Sequence, residues 1–329
     1  MTNQRTSSAF PFSRSCFRRA CFRRAGLLLW FCVCGGGTAG QSSDDSAAIA
    51  MVRISGGEFL MGDSLNEGFL NEFPPHRVAV SEFYLGQTEV SYSQWREVYN
   101  WSQQDGRGYD FGAGQCGSTS DYGAVPATPA NSNHPATGIS WWDVVKWCNA
   151  KSRKDGFTPC YYTDAGLTTE LVAGTSEVHV KWTANGYRLP TEAEWEFAAR
   201  GGLPDKSHPW GQGLHSSKAN YYDSADPFGG TAPVGYYNGH QVPSGQDMKN
   251  GYGLADMAGN VWEWCWDWLG PYSWAALTNP QGPASGADRV IRGGAWDGVA
   301  TVLRCAYRDG STPEHRSFTA GFRPARIVP

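Results

Sequence analysis

Residues 251–264 read GYGLADMAGNVWEW, and further along residues 289–296 read RVIRGGAW. In the first string Asp256 and Glu263 flank a tight glycine turn whose carbonyls can point inward. A hard divalent cation takes that mixture of carboxylate and carbonyl oxygens. The same spacing equally suits two acids that cap a turn or face solvent, so spacing alone leaves both readings standing. Glycine-rich irregular sequence fills the chain from Gly202 to Asp288. Loops of that length need buried aromatics or bound cations to hold them, and with 15 Trp and 41 Gly this sequence offers the aromatics.

Working outward, three short helices carry clear end signals. Ser91 can cap and Gln94 can reach back to it, ahead of the apolar Trp95, Val98 and Tyr99. A second helix starts at Ser140, runs through Val144, Val145 and Cys148, and stops near Gly156. In the third, Thr191 and Glu194 form a capping box behind Pro190, and Gly201 and Gly202 close it. Short strands are expected at Val52–Ile54, Glu58–Met61, Arg77–Val80, Glu82–Leu85, Val290–Arg292 and Phe322–Ala325. No repeat with a period of roughly 20–50 residues recurs, which argues against a solenoid or propeller.

The 329 residues are 40% apolar and 18% charged, enough for a folded core. Six Arg and no acid lie in residues 1–40, so all 31 Asp+Glu fall on the body and outnumber its bases by ten. An acidic body repels phosphate backbones, so nucleic acid is not an expected partner. Arg14, Arg18, Arg19, Arg23 and Arg24 precede an apolar run from Gly26 to Cys34, and small residues follow to Gly40. That order is a secretory signal, and the run is too short to span a bilayer. Residues 1–40 therefore read as a signal peptide, residues 41–50 as a polar linker and residues 51–329 as one domain. The product is exported to the periplasm or cell surface, either cleaved near Ala39 or Gly40 or lipid-anchored at Cys34; membrane contact is expected only through such an anchor. Cys116, Cys148, Cys160, Cys265 and Cys305 lie in the body, where Cys148 with Cys160 is the favoured disulfide and Cys265 with Cys305 a weaker second. Without Cys-x-x-Cys or His-rich spacing, zinc has little support.

The strings GEFLMGDS (57–64), HRVAVSEFYLGQTEVSYSQW (76–95), GYRLPTEAEWEFAARGG (186–202), GYGLADMAGNVWEW (251–264), RVIRGGAW (289–296) and AGFRPAR (320–326) resemble, in order, the formylglycine-generating enzyme or sulfatase-modifying factor family. The resemblance covers residues 51–326. It implies one α+β domain of C-type-lectin-like type, low in regular secondary structure, with two calcium sites. One would use the side chains of Asp256 and Glu263 and the carbonyls of Gly259 and Val261. The other would use the side chains of Asn220 and Asp226 and the carbonyls of Tyr221 and Phe228.

The family's chemistry rests on two cysteines after a Gly-Gly-Ser motif, which hold copper(I) as thiolates while oxygen converts a sulfatase cysteine to formylglycine. Soft thiolates suit that ion. Here residues 292–305 read RGGAWDGVATVLRC: Ala295 replaces the serine, Gly298 falls where the first cysteine belongs, and the loop is too short for the second. Cys305 aligns with a structural-bridge cysteine of the animal enzymes, whose partner position near Ala198 or Ala199 is not cysteine. Copper is therefore not expected.

What remains near the C-terminus is a set of groups that bind: Trp262, Trp296, Asp297, Arg304, Tyr307, Arg308, Asp309, His315 and Arg316. Aromatic faces beside hydrogen-bonding heads suit a protein, peptide or glycan ligand. The tryptophans serve a core equally well, and Arg304 and Arg323 can pair with buried acids. Three functions follow. The first is a non-catalytic, calcium-stabilised binding module whose specificity lies in residues 297–319. The second is an enzyme of other chemistry using His76, His134 or His315, and the third is the copper oxidase itself.

Overall fold

Polar caps set where the helices begin. In the computed structural model, which describes residues 48–175 and 177–329, the helices are α1 (Tyr92–Ser102), α2 (Trp141–Lys154) and α3 (Glu192–Ala199). Each starts in a reciprocal capping box: Ser91 with Gln94, Ser140 with Asp143, and Thr191 with Glu194. Helix α2 is capped by Asp155 and closed off by Gly156, whose φ of 77° costs a glycine little. Val144, Val145, Trp147 and Cys148 of α2 are all fully buried, as in a helix packed on every side.

The strands are short. In chain order they are β1 (Met51–Ile54), β2 (Gly57–Met61), β3 (His76–Val80), β4 (Phe83–Gly86), β5 (Gln115–Cys116), β6 (Ala136–Thr137), β7 (Tyr161–Tyr162) and β8 (His179–Val180). There follow β9 (Trp262–Trp268), β10 (Leu277–Thr278), β11 (Arg289–Arg292), β12 (Arg308–Ser311), β13 (Ala320–Gly321) and β14 (Ala325–Ile327). They form sheets in the orders β1-β4-β14, β10-β3-β2 and β12-β11-β9-β13, with β5-β6 and β7-β8 as two small ladders. The α+β class holds, with most of the chain in loops.

Two expectations about strands fail. Strand β9 lies inside the stretch expected to be irregular, yet it is the inner strand between β11 and β13. Its sequence WEWCWDW alternates Trp with Glu263, Cys265 and Asp267, and those intervening residues are buried rather than facing solvent, so both faces of the strand are covered. The last strand starts at Ala325, not Phe322. Phe322 packs into the Trp95/Trp147 cluster, Arg323 turns inward to Glu263, and Pro324 has no N–H to donate.

One apolar cluster gathers α1, α2 and Phe322 around Trp95 and Trp147, whose rings stack 5.6 Å apart. A second packs α3 against β1, β3, β4 and β11 through Trp195, Phe83 and Val290. Buried ion pairs run between the layers: Arg292 with Glu196 at 2.5 Å, Arg323 with Glu263 at 2.7 Å and Arg188 with Glu194 at 2.7 Å.

The five body cysteines are free and buried. The expected Cys148–Cys160 and Cys265–Cys305 bridges are not formed. Each thiol packs as a small apolar group, and burial pushes Cys160 up to about 11 and Cys305 up to about 12. The end of the expected linker is docked: the Ala48 and Ala50 carbonyls accept from Gln94 and Gln87, and Ile49 packs on the core. The signal segment and its four cysteines lie outside the described residues.

Candidate functional site

Beyond β11 the chain must double back, and the glycines permit it. Gly293 and Gly294 have φ of 93° and 75°, and a Cβ on Gly294 would meet Leu303 and Val302 at 3.1 Å. The turn presents Trp296 and Asp297 to a cavity of about 350 Å³ whose other walls include Ser120, Tyr122, Tyr222 and Asp226. Tyr122 lies with its ring 5.4 Å from that of Trp296 and donates its hydroxyl to Asp297 Oδ2 at 3.3 Å. The Trp296 indole N–H is shielded from solvent and has no partner among the described residues. Partial burial raises the Asp297 carboxyl above the usual range.

At Gly298, next in the turn, a Cβ would come within 2.8 Å of Val302 Cγ2 and 3.1 Å of the Ala295 carbonyl. A cysteine there would press on the Val302 side chain, which would have to move. Cys265 and Cys305, the remaining thiols of the C-terminal third, are 0% and 1% exposed and line none of this cavity. Burial raises both thiols, so at neutral pH neither is a thiolate.

The structure brings the side chains of the Asn220 set together. Asn220 Oδ1 and Asp226 Oδ2 converge on one hydroxyl, that of Ser224, at 3.4 and 2.6 Å, and Asp226 Oδ2 also accepts from Tyr237 at 3.1 Å. Asn220, Tyr221 and Asp226 all border the cavity, and Phe228 follows on the same loop, its N–H bound to Asp226. The Asp256 set fits differently from expectation. Glu263 is saturated: Arg323 donates to both of its oxygens at 2.7 Å, and the Trp195 indole donates at 2.8 Å. The free carboxylate oxygen beside Asp256 belongs to Glu89, whose Oε2 is buried without a partner. Burial raises both groups; the charge of Asp256 adds to it at Glu89 and the charge of Glu263 adds to it at Asp256, where the hydrogen bond with Glu89 works the other way. Two adjoining buried carboxylates ask for a proton or a cation, and Gly259 (φ 83°) and Val261 lie in the turn between Asp256 and Glu263.

The other expected ligand groups do not converge. Arg304 grips Glu72 through two bonds of 2.7 and 2.6 Å, and Arg308 grips Glu192 likewise, so both point inward and are corrected from contact to framework. Tyr307 is half-buried between Phe69 and Trp262. Asp309 is exposed on β12. His315 is exposed and shares a hydrogen bond with Ser311, and Arg316 reaches over the start of α2 to Asp143 at 2.9 Å. Only Trp296 and Asp297 border the cavity. The histidines of the enzyme reading have separate surroundings: His76 packs on Tyr272, and His134 packs on Phe228 with burial lowering it to about 4. Glu89 and Tyr122 were missed because each lies far along the chain from the residues it meets.

The chain is similar to known proteins along most of its length. The sulfatase-modifying factor enzyme 1-like domain matches residues 38–328. The formylglycine-generating enzyme of Streptomyces coelicolor is 34% identical over 307 residues, 87% of this chain and 92% of that protein. Inactive C-alpha-formylglycine-generating enzyme 2 of Mus musculus is 31% identical over 311 residues, 91% of each. Among solved structures, Treponema denticola variable protein 1 superposes with a TM-score of 0.65 at 28% identity, covering 84% of this chain and 95% of that one.

Proposed function

The chain belongs to the sulfatase-modifying factor enzyme 1-like domain family, and on that premise we propose that it is an exported, non-catalytic member that binds a protein, peptide or glycan ligand at the Trp296–Asp297 cavity. One observation carries the reading. The turn that would bear the catalytic thiol has Gly298 in place of the cysteine, beside an open cavity with an unpartnered indole N–H and a half-buried carboxyl. Calcium at Asn220, Tyr221, Asp226 and Phe228 would brace one wall of that cavity, since Asp226 lines it directly. A second ion beside Asp256 would draw on Glu89. The basic, apolar, small-residue order of residues 1–40 supports export, with the lipid anchor at Cys34 as its variant.

The test uses the purified chain, reduced and offered copper(I), with bound metal and oxygen-dependent oxidation of a Cys-x-Pro-x-Arg peptide as readouts. The expected result is neither stoichiometric copper nor formylglycine, with calcium raising the melting temperature and Asp226→Ala abolishing part of that rise. Stoichiometric copper with product would overturn the reading and restore the oxidase.

A further inference from the structure

Seven arginines are buried among the described residues, and six of them hold a carboxylate. Arg289 is the exception. It is 4% exposed, forms no ion pair among the described residues, and gives its Nη1 to the Trp266 carbonyl at 2.5 Å. Its Nε is buried without a partner, and its Nη2 makes no hydrogen bond among those residues. Indole rings hold the guanidinium in place: its centre lies 3.6 Å from the Trp268 ring, 3.8 Å from Trp141 and 4.9 Å from Trp266. Cation–π contact stabilises the charge without neutralising it. A guanidinium so placed keeps an unused donor for a planar oxyanion.

Arg289 borders a groove of about 620 Å³, within the size range of small-ligand sites, which shares no lining residue with the Trp296 cavity. Trp142, Trp266 and Trp268 supply flat apolar surface, while Thr175, Gln281 and Ser285 supply hydroxyl and amide groups. The outer wall is fixed rather than loose. Gly282 has φ of 75°, and a Cβ there would press within 2.7 Å of Asp267, so only glycine lets the 281–285 loop lie so close to β9. Glu177 on the rim adds a negative charge, which disfavours a dianionic phosphate and tolerates a single carboxylate.

The geometry points to this groove as a second binding site, for an acidic saccharide: a uronic acid residue whose carboxylate meets Arg289, whose apolar ring face lies on an indole, and whose hydroxyls meet Gln281 and Ser285. A sugar is favoured over an acidic peptide because polar groups and aromatic faces line the groove together, matching a ring that is apolar on its faces and hydroxylated at its edge.

The experiment is titration calorimetry of the purified chain with trigalacturonate, with maltotriose as the uncharged sugar and triglutamate as the acidic peptide. Trigalacturonate is expected to saturate one site per chain, with maltotriose and triglutamate weaker by roughly tenfold or more. Arg289→Gln should weaken trigalacturonate by at least roughly tenfold. Since Arg289 also packs in the core, Ala284→Trp is the second variant: it fills the groove from an exposed rim position and should block binding with the melting temperature unchanged. Trp296→Ala should leave trigalacturonate binding intact, so failure here is separable from failure at the other cavity. Absence of saturable binding to the wild type, equal binding of maltotriose, equal or tighter binding of triglutamate, or persistence of binding in Ala284→Trp would each overturn the assignment.

Discussion

His208 shows how much a single side chain can couple the fold to pH. Its ring stacks on Trp210 at 5.3 Å, and neither ring nitrogen has a partner among the described residues. Burial first, and then the positive charges of Arg304 and Lys218, lower it to about 4. An unfolded histidine takes its proton near pH 6.5. Between about pH 6.5 and about pH 4 the unfolded chain therefore binds the proton and the native chain does not. Stability is intact above that window and falls as pH descends through it, by up to about 1.4 kcal/mol per pH unit and about 3 kcal/mol in all. In His208→Phe that contribution should disappear, leaving the share of His134, which burial also lowers to about 4. Urea midpoints of both proteins from pH 7 to pH 4 give the difference, and parallel curves would count against a neutral buried imidazole.

At the scale of elements, α2 depends on an N-terminal network that does more than start a helix. The Ser140 hydroxyl accepts from the Asp143 N–H at 3.2 Å and donates back to Asp143 Oδ2 at 2.8 Å, while Asp143 Oδ1 also accepts from Gly112 at 3.1 Å and from Arg316. Ser140→Ala is expected to cost about 1 kcal/mol, the usual worth of a cap. Asp143→Ala should cost about 3 kcal/mol, because it also removes the acceptor of the buried Ser140 N–H and hydroxyl and of the part-buried Gly112 N–H. Equal losses for the two in urea unfolding would show that Asp143 acts only as a cap. The cap itself was readable in advance, since Ser140 and Asp143 sit three residues apart and the rule that joins them is local. The rest of the network was not, because Gly112 and Arg316 lie 31 and 173 residues away from Asp143. The same distance hid the roles of Arg304, whose partner Glu72 is 232 residues away, and of Glu89, 171 residues from Asn260. Trp296 and Asp297 were singled out as an aromatic face beside a hydrogen-bonding head, and these two neighbours do border one cavity. Strand β9 was harder to place: its tryptophans recur at every second residue, but Glu263, Cys265 and Asp267 between them are buried too, held by partners far along the chain.

For the molecule as a whole, short strands and long loops mean that stability rests on pairings between distant segments. The sheet β1-β4-β14 is the clearest case: β4 holds a strand from the start of the body on one edge and the last strand on the other. Ala325 is fully buried, pairs with Leu85, and exchanges backbone bonds with Arg188 at 2.7 and 3.0 Å. Arg326 lies 3.7 Å over the Phe157 ring and donates to the Asn185 carbonyl at 2.9 Å. Removing residues 325–329 thus opens one edge of β4, exposes Leu85 beneath it and unpairs Arg188 from its strand partner, a loss of about 4 kcal/mol or more from a total of the order of 5–15. A chain ending at Pro324 is expected to melt at least about 10 °C lower, or to lose its cooperative transition. A chain ending at Ile327, which keeps every one of those contacts, should melt with the full-length protein. If instead the Pro324 chain unfolds in two steps, with the Trp95/Trp147 cluster outlasting the β4 sheet, then the two apolar clusters are separate cooperative units and the buried ion pairs between them couple the halves only weakly.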